Sequence, residues 1–112
     1  MTRTVAWTLR LAARAKQNIS DILAWTGGNF GRQQAKAYAE TLALALGALI
    51  EGPDVLGAQP RDDIFPGVVA LHVARNGRKG RHFIVFRAGA ENCIDVLRVL
   101  HDSMDLPSHF DR

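Results

Sequence analysis

The residues best suited to chemistry gather near the end of the chain. His101, Asp102, Ser103 and Asp105, with Met104 among them, follow directly on the apolar run Cys93–Leu100. An imidazole beside carboxylates can take, give or hold a proton near neutral pH. His101 is the one well-placed carrier, with Asp102 or Asp105 to orient it. A strand-end histidine that hydrogen-bonds the backbone is the other reading of the same residue. A second concentration is electrostatic. Arg75, Arg78, Lys79, Arg81 and Arg87, together with His82, lie in a stretch without a single acid. Such a field attracts phosphates or an acidic protein surface. For the turn residues Arg78 and Lys79 alone, a solvated loop explains the charge equally well. Metal chemistry finds no support, because His72, His82, His101 and His109 have no short ligand spacing.

The elements that must position these groups can be read from periodicity. Cys93–Leu100 is apolar on both faces except for Asp95 and Arg98, as in a strand covered on both sides. An arginine there needs a partner or a wet cleft. Before it, Val68–Ala74 alternates and Arg81–Ala88 is β-prone. Asn76-Gly77 opens one connection, Gly80 closes it, and Gly89–Asn92 makes the next. Three strands with short turns form an antiparallel meander.

Upstream, Thr4–Thr8 reads as a first strand with Val5 and Trp7 on one face. Ala12, Ala15, Ile19, Ile22, Leu23 and Thr26 then step by threes and fours, one stripe of a helix that Gly27-Gly28-Asn29 should end. Ala35, Tyr38, Leu42, Ala45, Leu46 and Leu49 give a second helix over about Arg32–Glu51, stopped by Gly52-Pro53. That spacing assigns Tyr38 to the core. Asp54–Gly67 is a surface loop, pinned by Ile64 and Phe65. The expected fold is α+β in the order βααβββ, an antiparallel sheet packed on one face by an αα-hairpin.

The 112 residues make one domain, 1–112, and 47% hydrophobic residues suffice for its core. The net charge is +3, and one cysteine, Cys93, calls for no oxidising compartment. No apolar run approaches the roughly 18 residues of a membrane span, and the N-terminus is too polar for a signal peptide. A cytoplasmic protein is expected, with no cofactor and no membrane partner.

Two stretches carry a resemblance. Arg98-Val-Leu-His101-Asp-Ser-Met-Asp105 resembles the close of the last strand in the ParE branch of the RelE/ParE toxin superfamily, which commonly runs R-V-L-H-x-x-M-D. Asp21–Gly31, DILAWTGGNFG, resembles ParE chains too, where an aromatic and a glycine commonly sit between the helices. The likeness spans about residues 3 to 110. It implies the toxin of a type II toxin–antitoxin system that inhibits DNA gyrase by binding. It also implies a ParD-type antitoxin, which reaches operator DNA through its own ribbon-helix-helix and wraps the toxin with its C-terminal segment. The RelE branch implies instead a ribosome-dependent messenger endoribonuclease, with His101, Arg98 and Arg87 as the catalytic set. RNA cleavage by 2′-hydroxyl attack requires a base, an acid and cations around the phosphate. With a single well-placed histidine, the residues favour the binder. Its expected target surface is Arg75, Arg78, Lys79, Arg81, Arg98, His101, Met104 and Asp105. Trp25, Phe30 and Arg87 are expected to meet the antitoxin.

Overall fold

The computed structural model describes residues 6–109. Its elements are β1 (Thr8–Leu11), α1 (Ala13–Phe30), α2 (Arg32–Ala48), β2 (Gln59–Pro60), β3 (Val69–His72), β4 (His82–Ala88) and β5 (Cys93–His101). A 3-10 turn, Leu49–Glu51, extends α2, and another, Leu106–His109, follows β5. The α+β architecture and the order of elements match the expectation, as does the antiparallel meander of β3, β4 and β5.

Four local expectations are corrected. The first strand is Thr8–Leu11 instead of Thr4–Thr8; Thr4 and Val5 lie outside the described residues. That strand runs parallel to β5, so the five-stranded sheet, ordered β1-β5-β4-β3-β2, is mixed, not wholly antiparallel. Strand direction depends on how the helical hairpin returns the chain, which no local pattern records. The first helix passes through Gly27 and Gly28 to Phe30, and the joint is Gly31 at φ 95°. The Gly31 N–H donates to the Gly27 carbonyl, and Asn29 Nδ2 donates to the Trp25 carbonyl, so the last turn stays satisfied. Finally, the loop before β3 contains a two-residue edge strand, Gln59–Pro60. Proline is tolerated there because an edge needs no donor on its outer side.

Each sheet face has its own core. Facing the helices, Ile84, Phe86, Ile94 and Val96 pack with Ala15, Leu42, Ala45 and Leu49, and all are buried. On the opposite face Val85 and Leu100 pack under Ile64, Val68 and Leu106, with Phe65 against them. Thus β5 is buried on both faces, as its composition requires. Its polar interruptions are also met. Asp95 accepts from Arg10 Nε at 2.9 Å. Asn18 of α1 accepts from Arg98 Nε at 2.9 Å and from the Val99 N–H at 3.1 Å.

The pairing of β4 with β5 shifts by one residue between Val85 and Phe86. Phe86 faces Val96 and Val85 faces Arg98, so Leu97 is the extra residue of a bulge. Beyond it His82 pairs with His101. An unbroken register would have set His82 against Leu100.

Candidate functional site

An open trough of about 1360 Å³ lies between the helical hairpin and the far end of the sheet. One wall is apolar. Trp25 and Phe30 of α1 pack edge to face at 5.6 Å, yet they stay 61% and 63% exposed. The other wall is polar: the β3–β4 turn with Arg78, Lys79 and Arg81, then His82, His101 and Met104.

Two devices hold the walls together. Arg78 reaches across from the turn to α2, donating to Thr41 Oγ1 at 3.1 Å, to Glu40 Oε1 at 2.9 Å and to the Ala37 carbonyl at 3.0 Å. Tyr38 provides the second. Its hydroxyl accepts the Arg81 N–H at 3.1 Å and lies 2.6 Å from His82 Nδ1. This approach needs Gly80: a Cβ there would fall 2.5 Å from Val73 Cγ2 and 3.1 Å from the Tyr38 hydroxyl.

At the sheet end the two imidazoles stand edge to face, with ring centres 5.2 Å apart. Burial, then the neighbouring His101, lowers the His82 pKa to about 4, so its ring is neutral at pH 7. A hydroxyl has one proton to give, and the 2.6 Å contact to His82 Nδ1 is where Tyr38 can give it. His101 Nδ1 accepts the Ser103 N–H at 3.1 Å and lies 2.7 Å from the Ser103 hydroxyl. Acceptance at Nδ1 leaves Nε2 as the position for the His101 ring proton, and for that of His82 when the Tyr38 hydroxyl donates to it. Behind them Asp102 contacts His72 Nε2 at 2.9 Å, Arg81 Nε at 3.2 Å and His101 Nδ1 at 3.6 Å. The His72 hydrogen bond, aided by Arg81, holds the Asp102 carboxyl below its ordinary range.

The structure gathers Trp25, Phe30, Arg78, Lys79, Arg81, His101 and Met104 around one trough. It does not bring the remaining candidates there. Arg75 turns away to the Leu56 carbonyl, Arg98 is engaged by Asn18, and exposed Arg87 sits opposite Asp95. Asp105 is exposed outside the trough. Arg98 and Arg87 therefore do not assemble with His101. The sequence reading missed the site role of Tyr38 and the pairing of His82 with His101. Tyr38, assigned to the core by its spacing, is half-buried but presents its hydroxyl to the site. His82 is the second imidazole beside His101, a neighbour that residue spacing did not announce. The hairpin turn does place His82 near the end of β5, but only the bulge selects His101.

The known proteins similar to the chain identify its family. The ParE toxin family of type II systems, parDE, matches over residues 9–106, and the chain belongs to that family. It is 30% identical over 100 residues to Toxin ParE1 of Caulobacter vibrioides, covering 89% of this chain and 94% of that one. Toxin ParE1 of Mycobacterium tuberculosis is 30% identical over 96 residues, covering 86% and 90%. The fold matches a chain of the chromosomal ParDE system from P. aeruginosa with a TM-score of 0.71 at 17% identity, covering 86% and 96%. It also matches a chain of the RelBE2 toxin–antitoxin complex of Mycobacterium tuberculosis, with a TM-score of 0.59 at 19% identity, covering 88% and 94%.

Proposed function

We propose that this toxin acts in the cytoplasm by binding DNA gyrase and that a ParD-type antitoxin neutralises it, reaching operator DNA only through that antitoxin. The observation that carries the reading is the shared trough. Its apolar wall, Trp25 and Phe30, suits the apolar stripe of an amphipathic segment. Its other wall holds Arg78, Lys79, Arg81, His101 and Met104, five of the residues expected to meet the target. A segment lying in the trough covers that wall, so docking and neutralisation are one event. The solved ParDE system among the similar folds supports a partner of this kind. The decisive experiment is a gyrase supercoiling assay with purified toxin. Supercoiling should stop, and added antitoxin should restore it. Unimpaired supercoiling at excess toxin would rule the target out.

A second reading rests on one specific observation, the cluster of Tyr38, His82 and His101 beside Arg81. These are proton carriers and a cation of the sort that ribosome-dependent RNA cleavage requires. On this reading the toxin cuts ribosome-bound messenger, and His101→Ala abolishes cleavage while leaving the fold intact. Intact messenger in the presence of the unaltered toxin would dispose of it.

A further inference from the structure

The histidine pair has a use that does not involve moving protons. Ser103 occupies Nδ1 of His101 and leaves that ring its proton on Nε2; with the Tyr38 hydroxyl donating to His82 Nδ1, His82 presents an Nε2–H as well. Those two Nε2–H groups have no hydrogen-bond partner among the described residues. No buried side-chain nitrogen or oxygen among those residues lacks one, so neither group is sealed from solvent, and both residues line the trough. A general base would present a lone pair there; this arrangement presents two donors.

Two neighbouring donors fit an oxyanion, and the surrounding charges select which. Arg78 is paired with Glu40 and Arg81 with Asp102. Asp21 also lines the trough. A polyphosphate would therefore meet carboxylates and largely neutralised cations. A single carboxylate meets Lys79 and two N–H groups next to an apolar wall. We propose that His82 and His101 together receive one aspartate or glutamate side chain of an amphipathic partner segment whose apolar residues pack on Trp25 and Phe30. This rests on the antitoxin-docking reading and names the chemistry of the docked segment.

The test has two arms. In the first, imidazole 15N NMR of the full chain follows titration with sodium acetate, inorganic phosphate or sodium chloride at constant ionic strength. Both rings should show the Nε2–H form, and acetate should shift both Nε2 signals saturably while chloride does not. Phosphate binding far tighter than acetate would overturn the proposal in favour of a nucleic-acid backbone, and an Nδ1–H form of either ring would overturn it outright. In the second arm, affinity for a ParD-type antitoxin that neutralises this chain is measured. His82→Ala with His101→Ala should weaken it by about ten- to a hundredfold, the range for a lost charge-assisted hydrogen bond. His101→Gln, which keeps a donor at the Nε2 position, should recover most of the loss relative to His101→Ala. Unchanged affinity of the alanine variants, with Trp25 still covered in the complex, would defeat the carboxylate proposal and leave docking standing. A complex that leaves Trp25 and Phe30 uncovered would defeat the docking reading itself.

Discussion

The two halves of β5 face the same problem, a strand inside the sheet that carries charged residues, and meet it differently. From Cys93 to Val96 the strand has β1 on one side and β4 on the other. Backbone pairing satisfies it, Ile94 and Val96 are sealed, and Asp95 meets Arg10 at the surface. From Arg98 to His101 the β1 partner has ended, the Ala12 N–H making the last contact to the Val96 carbonyl. There a side chain, Asn18, stands in for a strand, and His101 emerges opposite His82 at the trough. Both halves pair with β4 and bury apolar side chains; on the other edge the first half has the main chain of β1, and the second has the side chain of Asn18. The candidate site lies past the end of β1, where pairing with β4 still fixes the frame and the side chains of His82 and His101 reach the trough.

The contrast can be broken at several strengths. Ile94→Ala should be the most damaging, at about 2–5 kcal/mol, since it opens a cavity in the fully buried half; urea denaturation would show it as a drop in midpoint. Asn18→Ala should cost about 1–3 kcal/mol by leaving the Val99 N–H and the Arg98 guanidinium short of an acceptor. Hydrogen exchange should report that loss at Val99 before it reaches Ile94. A uniform rise in exchange along β5 would mean that its halves are not distinct.

Acid should act mainly on the second half. The His82 pKa of about 4 is depressed below the ordinary value of 6.5, so the unfolded chain takes up the extra proton first. Its contribution is complete above about pH 6.5 and is lost as pH falls toward 4, about 1–2 kcal/mol once partial solvent access is allowed for. Asp102, also depressed, contributes in the same direction at lower pH, where its carboxylate would protonate on unfolding. Denaturation midpoints at pH 7 and pH 5 should differ, and His82→Gln should flatten the difference. The smallest effect belongs to Arg10→Ala. Its guanidinium is 70% exposed, so the ion pair with Asp95 is screened by solvent. Thermal melts of this variant should be nearly superimposable on the parent.

Much of the frame was legible in the residues. The doubly apolar run Cys93–Leu100, the alternation of Val69, Leu71 and Val73, and the three-and-four spacing of both helices are local patterns that burial imposes directly. The clustering of Lys79, Arg81, His101 and Met104 followed from strands joined by short turns. The end of the first helix was misplaced, and the helix runs through Gly27, Gly28 and Asn29 to Phe30, because two glycines allow a helix to end without compelling it; Gly31 is where φ turns positive.

By itself, then, the chain's order of residues determined the element types, the meander and the buried strand, all products of side chains repeating at short range. Tertiary structure alone decided that β1 runs parallel to β5, that Leu97 bulges so that His101 meets His82, and that Tyr38 from a distant helix hydrogen-bonds that histidine. Those outcomes join residues up to 85 positions apart, as Arg10 and Asp95 are. Pairings at that range are settled by how whole elements pack, and no periodicity within one element encodes them.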